Sequence, residues 1–267
     1  MWIETPLHHP ACLPPSVALS FVDRANALWP RRLLGALYTG ARSVLPVAST
    51  TATAGIIVGT VTLTGLGLKI SGLIVDLAGG HLFLTVFYSA LAIWMLGLAV
   101  PVTASYIIAA VMVAPAMTKV GVPDLAAHMF IFYYAVLSEV SPPTALSPFA
   151  AAAITGAKPV PTMMLTWKYT LPAFVFPFAF TLSKQGMGLL LQAPIGDVLI
   201  STGTAVIGIL ALAAGLGGWI RKTANLAERT LATAGGLLLF YAGTLSDIAG
   251  LVLFVIAVGL HLARTKT

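Results

Sequence analysis

The sequence has little charge and almost no cysteine. Only 8% of its 267 residues are Asp, Glu, Lys or Arg, and Cys12 is the single cysteine. Ordinary soluble domains carry about 25% charged residues, so this composition excludes that class of protein. One cysteine also excludes an internal disulfide framework and a thiolate cluster, and the five histidines lack ligand spacing. We therefore expect no resident cofactor or metal centre.

Catalytic motifs are missing as well. The chain contains no G-x-S-x-G or H-E-x-x-H motif and no paired carboxylates, so an enzyme is not expected. The net charge of +6 would suggest nucleic acid in a soluble protein. Here, however, the basic residues lie mostly at the ends of apolar runs, which is a membrane-topology signal and argues against a nucleic-acid partner. They are Arg31, Arg32, Arg42, Arg221, Lys222, Arg229, Arg264 and Lys266.

Long apolar runs are abundant, and 58% of the residues are hydrophobic. A bilayer core of about 30 Å requires roughly 20 apolar residues as helix, and runs of that order predict an all-α, polytopic integral membrane protein in contact with lipid. They cover residues 44–68, 82–118, 140–157, 198–220 and 230–246. We divide the chain into a Pro-rich peripheral leader or linker (1–40), a transport region (41–183) and additional transmembrane helices (184–267).

The run from Leu82 to Thr118 is too long for one span. Its 37 residues would make about 55 Å of straight helix. Gly97 and Pro101 interrupt the helical hydrogen bonding, and Thr103 and Ser105 add hydroxyl groups, so we predict one span followed by a re-entrant half-helix, with residues 97–106 non-helical. A proline-kinked helix whose threonine bonds back to its own carbonyl is the alternative.

A second interruption lies within 45 residues of the first. An aromatic-rich half-helix ends near Ser138, Pro142 and Pro143 lack amide hydrogens, and Thr144 to Ile154 can restart as a second half. Irregular backbone at membrane depth is tolerated only where protein or a water-filled cavity satisfies it. Paired discontinuous segments therefore indicate a transport site, and we expect the two breaks to face each other in the interior.

Glu139 is the only acid between Asp124 and Asp197, and an intramembrane acid is by default a candidate functional residue. The alternatives place it near the interface or pair it with Lys158 or Lys168. His128 and the neighbouring Phe130, Tyr133 and Tyr134 are interpreted as helix packing. The candidate ion- or substrate-binding residues are Gly97, Pro101, Thr103, Ser105, Ser138, Glu139, Ser141, Pro142, Pro143 and Thr144.

Further along the chain the predicted helices are plainer. We expect spans over 169–183 and 197–220, and then two short helices that turn near Ser246 and Asp247. Arg229 precedes this last pair and Arg264 follows it, so the hairpin should have both ends on one side of the membrane.

Two stretches of the chain are distinctive: "GLAVPVTASYIIAAVMVAPA" and "AHMFIFYYAVLSEVSPPTALSPFAAAAITGA". Together they closely resemble the C-terminal half of the large fused permease of tripartite ATP-independent periplasmic (TRAP) transporters, in the branch paired with TAXI-type binding proteins. The likeness extends over about residues 41–183. It implies half of a sodium-driven, elevator-type, inverted-repeat importer in the bacterial inner membrane, which receives a solute, usually an organic acid, from a periplasmic substrate-binding protein.

The resemblance carries over to Gly97, Pro101, Thr103 and Tyr106 of the hairpin, and to five positions of the broken helix: Ser138, Ser141, Pro142, Pro143 and Ala145. Thr103 and Ser141 are its candidates for oxygen ligands to Na⁺, the coupling ion. Ala99, Val102 and Glu139 depart from the family pattern, and Val102 removes one possible oxygen ligand.

The largest departure is the missing first repeat. We therefore expect the chain to be a C-terminal fragment, one part of a split permease whose partner is the remaining half, or a degenerate copy, and we expect its function to be sodium-coupled solute uptake. A membrane structural or assembly protein that has lost transport is the alternative.

Overall fold

The computed structural model describes residues 29–143, 145–241 and 243–266. None of these residues lies in a β-strand, and the only β pairing among them is an isolated bridge between Trp219 and Thr223. The prediction of an all-α protein is confirmed. The helices are α1 (Pro30–Leu63), α2 (Leu66–Leu77), α3 (Leu82–Gly97), α4 (Val102–Lys119), α5 (Asp124–Ser138), α6 (Leu146–Thr155), α7 (Pro159–Leu182), α8 (Ile195–Gly217), α9 (Leu226–Phe240) and α10 (Thr244–Lys266), with a 3₁₀ helix at Gln185–Leu190.

Within the described residues, three helices are long and apolar enough to cross a bilayer. They are Val102–Lys119, Ile195–Gly217 and Leu245–Arg264. A fourth crossing is possible if Ala52–Leu63 and Leu66–Leu77, which meet at 74°, form one broken span. These helices, together with the shorter apolar α3, α5 and α6, are those of a multi-pass membrane protein.

The chain divides into two compact units, residues 1–56 and 57–267. Of the first unit the structure describes residues 29–56, which are helical from Pro30 onward. The α-helix therefore begins inside the segment that the sequence suggested as a leader or linker. Proline is well tolerated in the first turn of a helix, where its missing N–H has no intrahelical partner to lose.

The core of the second unit is centred on α5, which packs against α3, α4 and α7. Phe130, Ile131, Ile93 and Met117 are completely or almost completely buried there. Phe130 lies against Tyr134, with ring centroids 4.8 Å apart, and Tyr133 packs on Phe176. The interpretation of these aromatic side chains as helix packing is confirmed.

Helices α8, α9 and α10 pack in sequence through glycines. A β-carbon on Gly250 would lie 2.7 Å from the Gly235 carbonyl oxygen, and one on Gly236 would lie 3.0 Å from the Gly208 carbonyl oxygen. Neither position accepts a side chain without separating the helices. Small residues that bring helix backbones into contact are the usual basis of helix association in membranes.

Several elements differ from the sequence predictions, among them α7, which begins at Pro159 rather than at residue 169. The first break covers only 98–101, so Thr103, Ser105 and Tyr106 are helical. This correction has a simple reason, because Ser and Thr are tolerated in a helix interior and only Pro101 removes an amide hydrogen. In the last hairpin, α9 ends at Phe240 and α10 begins at Thr244, so Ser246 and Asp247 lie in the first turn of α10 rather than in the connection. Finally, α4, with 18 residues, is longer than α3, with 16, so it is not a half-helix.

Candidate functional site

The first break joins α3 to α4. At the end of α3, the amide of Leu98 donates to the carbonyls of Trp94 and Met95, and the amide of Ala99 donates to the Leu96 carbonyl. Pro101 is the N-cap of α4, and its carbonyl accepts the amide of Ser105 at 2.9 Å. The helix stops because Pro101 has no amide hydrogen, and it restarts because the fixed φ of proline suits a helix N-terminus.

The second break follows α5. The amides of Glu139, Val140 and Ser141 donate to the carbonyls three residues earlier, which tightens the last turn, and the Ser141 carbonyl accepts the amide of Ala145. The chain leaves this turn through Pro142 and Pro143. It enters α6 through Ala145, which is buried and has a φ of 35°, a left-handed conformation uncommon for a residue with a β-carbon. The predicted discontinuous helix is confirmed over the described residues 141–143.

The two breaks meet at Gly97. A β-carbon placed on Gly97 would lie 2.3 Å from the Ser138 hydroxyl oxygen and 3.4 Å from the Ser105 hydroxyl oxygen. All three residues are buried. Glycine at position 97 therefore allows the end of α3 to contact the end of α5. The helix ends beside the two breaks therefore meet in the interior, whereas Pro101 and Pro143 of the breaks themselves are exposed.

The buried hydroxyl groups near the two breaks differ in their hydrogen bonds. Ser138 donates to the Ala135 carbonyl at 2.7 Å, and Ser141 donates to the Leu137 carbonyl at 2.8 Å. The Ser105 hydroxyl is completely buried and has no hydrogen-bond partner among the described residues. A serine oxygen that donates its hydrogen backwards keeps both lone pairs. Ser138 and Ser141 therefore retain the capacity to accept a hydrogen bond or to coordinate a cation.

Other sequence candidates lie outside the buried cluster. Pro101, Thr103 and Pro143 are exposed, whereas Glu139 and Pro142 are half-buried. Thr103 precedes Ser105 by two residues and, at about 100° per helical residue, occupies the opposite side of α4. Thr144 falls outside the described residues. The role of Thr103 and Ser141 as sodium ligands stays a prediction, and so does the binding role of the other candidates.

Lys168 and His128, two weaker candidates from the sequence, make contacts of their own. Nζ of Lys168, proposed as an alternative partner of Glu139, instead donates to the Gly217 carbonyl at 3.1 Å. Nδ1 of His128 lies 3.1 Å from the Tyr106 hydroxyl, and the two rings are in tilted contact. The interpretation of His128 as a hydrogen-bonded side chain is confirmed, although the residue is exposed and not packed in the core. Within the described ranges, no three His, Cys, Asp or Glu side chains lie close enough to hold a metal ion.

Sequence reasoning missed two further buried serines. Ser71 in α2 and Ser89 in α3 are completely buried, and neither hydroxyl has a hydrogen-bond partner among the described residues. The sequence of an apolar run does not show whether a serine hydroxyl donates to a carbonyl of the preceding helical turn or has no partner. Only the packing of α2, α3 and α4 distinguishes them.

Sequence reasoning also missed an ionic cluster between α9 and α10. Glu228, buried in the first turn of α9, accepts hydrogen bonds from Nε of Arg264 at 2.8 Å and from Nδ1 of His261 at 2.8 Å. Nε2 of His261 accepts the amides of Arg221 and Lys222. These contacts bring the start of α9 close to the end of α10. This agrees with the prediction from Arg229 and Arg264 that both ends of the hairpin lie on one side. The hydrogen bond from Arg264 is the main cause that lowers the pKa of Glu228 to about 2.

Part of this cluster could be predicted from the sequence. Asn225 and Glu228 form a capping box, in which the Asn225 side chain accepts the Glu228 amide at 2.8 Å and Glu228 accepts the Asn225 amide at 3.0 Å. The pattern Asn-x-x-Glu before an apolar run is the ordinary sign of a helix N-terminus.

The fold and the meeting breaks define a class of protein: a multi-pass helical membrane protein with discontinuous helices joined in its interior, as in secondary transporters. Residues 17–185 match the family model "Tripartite ATP-independent periplasmic transporter, DctM component". Since the match covers more than half of the chain, the protein belongs to this family of TRAP transporter permease components and is a transport protein rather than an enzyme. No curated protein and no solved structure matches the chain.

Proposed function

We propose that the chain is the permease component of a sodium-coupled importer that receives an organic acid from a periplasmic substrate-binding protein. The observation that carries the proposal is the contact of the two breaks at Gly97, with the hydroxyls of Ser105 and Ser138 beside it. Oxygen atoms gathered in a dry interior suit a desolvated alkali cation, because they replace its water ligands. We propose Ser105, Ser138 and Ser141 as the buried oxygen donors. Thr103 lies on the opposite, exposed side of α4, so it would contribute its oxygen to a separate ion.

The second half of the discontinuous helix suits a carboxylate. Helix α6 begins at Leu146, directly after the break, and its first amides have no partner inside the helix. An anion at this end is stabilised by those amides and by the helix dipole. Glu139 lies on the other side of the break, half-buried, where its charge would favour a cation rather than the carboxylate.

Half of an inverted-repeat transporter supplies half of the walls around its site. We therefore propose that the chain works with a second polypeptide that contributes the other repeat, in the bacterial inner membrane, and that the binding protein is of the TAXI type. The partners follow from the resemblance of the two broken segments and from the family to which the chain belongs.

The test is reconstitution in liposomes. The chain would be inserted alone, or together with the other permease half and the binding protein, and uptake of a panel of radiolabelled mono- and dicarboxylates would be followed under an inward sodium gradient. We expect uptake only by the complete assembly and only with sodium, with an equal potassium gradient as the control.

Three results would contradict parts of the proposal. Equal uptake by the complete assembly under the sodium gradient and under the potassium gradient would exclude sodium coupling. Uptake by the chain with only the binding protein present would show that no second half is needed. A complete assembly that folds, binds the loaded binding protein and moves no solute would favour the alternative, a structural or assembly protein that has lost transport.

A further inference from the structure

Basic residues from four segments of the chain meet at the C-terminal end of α8. Nζ of Lys168 in α7 and Nε of Arg229 in α9 donate to carbonyls in the last turn of α8, at 3.1 and 3.0 Å. Arg264, near the end of α10, donates to the Thr223 carbonyl in the turn between α8 and α9. That turn carries two further basic residues. We define the basic surface as Lys168, Arg221, Lys222, Arg229 and Arg264.

The basic surface has a large excess of positive charge. The one acid in contact with it is Glu228 among the described residues, and this carboxylate is buried and paired with Arg264. The other acids of α8–α10 are Asp197 and Asp247, which lie in the first turns of α8 and α10, at the opposite ends of these helices. Five cations and one carboxylate give this end of the helices a net charge of +4.

The turn that carries Arg221 and Lys222 is held in place through its backbone. The amides of both residues donate to Nε2 of the completely buried His261, and Trp219 and Thr223 form an isolated β-bridge across the turn. Both basic side chains are exposed. Because the backbone is fixed before a ligand arrives, less conformational freedom is lost on binding.

An exposed tryptophan indicates the depth of this surface in the membrane. Trp219 is 62% exposed and precedes Arg221 by two residues. Helices α8 and α10, which are apolar enough to cross a bilayer, both end here. Tryptophan is enriched where hydrocarbon meets the lipid headgroups, and basic residues beside membrane helices mark the cytoplasmic side. The basic surface therefore lies at the level of the lipid phosphates of that leaflet.

We propose that the basic surface binds the headgroup of an anionic glycerophospholipid, with Arg221 and Lys222 on its phosphate. A guanidinium donates paired hydrogen bonds to phosphate oxygens, and the other three cations add long-range attraction. Clusters of four or more Lys and Arg directly beside membrane helices attract anionic lipids.

A soluble phosphate ester shares this headgroup chemistry but lacks acyl chains. Leu210 in α8 and Leu260 in α10 are exposed within two turns of the basic surface, where acyl chains have apolar side chains to contact. Lipid is therefore the favoured source of the phosphate. This binding depends on the membrane location of the chain and not on its proposed transport function.

The test compares two lipids that differ in headgroup charge. The complete chain, purified free of lipid in an uncharged detergent, would be titrated with dioleoyl phosphatidylglycerol, which is anionic, or with dioleoyl phosphatidylcholine, which has the same acyl chains but no net charge. Native mass spectrometry would count the bound lipid. We expect the affinity for phosphatidylglycerol to be at least about tenfold higher, and the preference to weaken with added salt, because exposed charges are screened.

A second arm distinguishes the lipid from a soluble phosphate. Glycerophosphoglycerol, which is the same headgroup without acyl chains, and inorganic phosphate would each be added at the concentration of the lipid. We expect both to leave phosphatidylglycerol bound. Displacement by either would show that a soluble phosphate occupies the surface, and it would contradict lipid binding.

Two double variants separate the basic surface from the overall charge of the protein. Arg221→Gln with Lys222→Gln should lower the affinity for phosphatidylglycerol about tenfold, while the affinity for phosphatidylcholine and the thermal midpoint stay those of the parent. Lys119→Gln with Lys184→Gln is the matched control. It removes the same charge from exposed positions outside the basic surface and should keep the parent's affinity for both lipids.

Three results would overturn the inference. Equal affinity of the parent for the two lipids would exclude recognition of the anionic headgroup, and this measurement needs no variant to fold. An unchanged affinity of the Arg221 and Lys222 double variant would place the lipid elsewhere. An equal loss in both double variants would mean that net charge alone, and no particular surface, attracts the lipid.

Discussion

Among the described residues, the helices α2–α7 leave more buried polar groups without hydrogen-bond partners than do the helices α8–α10. Six buried side-chain atoms lack a hydrogen-bond partner among the described residues, and five of them belong to α2–α7: the hydroxyls of Ser71, Ser89 and Ser105 and the indoles of Trp94 and Trp167. In α8–α10 the exception is Asp247, whereas Glu228 and His261 are fully hydrogen-bonded.

This difference coincides with the extent of the family match, which ends at residue 185. Buried polar groups without partners are unfavourable, and in native proteins each calls for a reason. For Ser105 the reason proposed above is that an ion supplies the missing partner. In α8–α10 the hydrogen bonds of Glu228 with His261 and Arg264 hold α9 and α10 together.

The largest effect is expected from Glu228→Ala. The substitution leaves the buried His261 and the guanidinium of Arg264 without their acceptor, and breaking a buried ion pair on one side is strongly destabilising. We expect the thermal midpoint of the purified chain to fall by at least about 5 °C. Glu139→Ala is the matched control, because Glu139 is half-buried at a break, and it should change the midpoint little. Equal effects of the two substitutions would contradict the comparison.

The next effect is steric. In Gly250→Ala the new β-carbon would lie 2.7 Å from the Gly235 carbonyl oxygen, which is backbone and cannot move aside, so α9 and α10 must separate. We expect a loss of about 1–3 kcal/mol in stability, the usual cost of overpacking. Gly259→Ala on the same helix meets no atom within 4 Å and should be neutral or slightly stabilising. Thermal unfolding of both variants in detergent checks this prediction, and similar midpoints would show that the helices are not in close contact.

The same substitution at the break should affect both stability and transport. In Gly97→Ala the new β-carbon would lie 2.3 Å from the Ser138 hydroxyl oxygen and 2.6 Å from the Ser138 β-carbon, which no rotation of that side chain can move away. We expect a stability loss of about 1–3 kcal/mol, the usual cost of overpacking, and a severalfold fall in uptake by the complete assembly. Adding Ser138→Gly removes the collision and should restore part of the uptake. A double variant no better than Gly97→Ala would mean that the two breaks do not meet there.

A smaller effect depends on pH. The pKa of Glu228 is lowered to about 2 from an ordinary value of about 4.3. A carboxyl group whose folded pKa is depressed stabilises the fold above its unfolded pKa, and this contribution is lost as the pH falls towards the folded value. The midpoint of the parent should therefore fall from about pH 5 downward. Glu228→Gln should lack this part of the fall, and parallel curves for the two proteins would contradict the assignment.

The sequence anticipated the breaks better than their surroundings. Pro101, Pro142 and Pro143 remove amide hydrogens, a local effect that needs no knowledge of the fold. The contact of Gly97 with Ser138 joins residues 41 positions apart, and the cluster of Glu228 with Arg264 joins residues 36 apart. Such pairs depend on how helices cross. Hydrophobic runs show only that those helices exist.

Hydroxyl groups were the least predictable part of the candidate site. Thr103 and Ser105 lie two residues apart in one apolar run, yet Thr103 is exposed and Ser105 is buried without a partner. Helical periodicity separates their faces, but the low amphipathicity of an apolar membrane helix gives no indication of which face is interior. The sequence therefore proposed both hydroxyls as candidates, and only the structure distinguishes the buried Ser105 from the exposed Thr103.

The central claim, that the meeting breaks bind the coupling ion, is tested most directly by uptake against sodium concentration in the complete assembly. Ser105→Ala removes a buried oxygen beside Gly97, while Ser89→Ala removes an equally buried, unpartnered hydroxyl eight residues earlier in α3 than Gly97. We expect Ser105→Ala, and likewise Ser141→Ala and Thr103→Val, to raise the half-saturating sodium concentration severalfold, whereas Ser89→Ala leaves it unchanged. Curves for Ser105→Ala, Ser141→Ala and Thr103→Val that superimpose on the parent would contradict the claim.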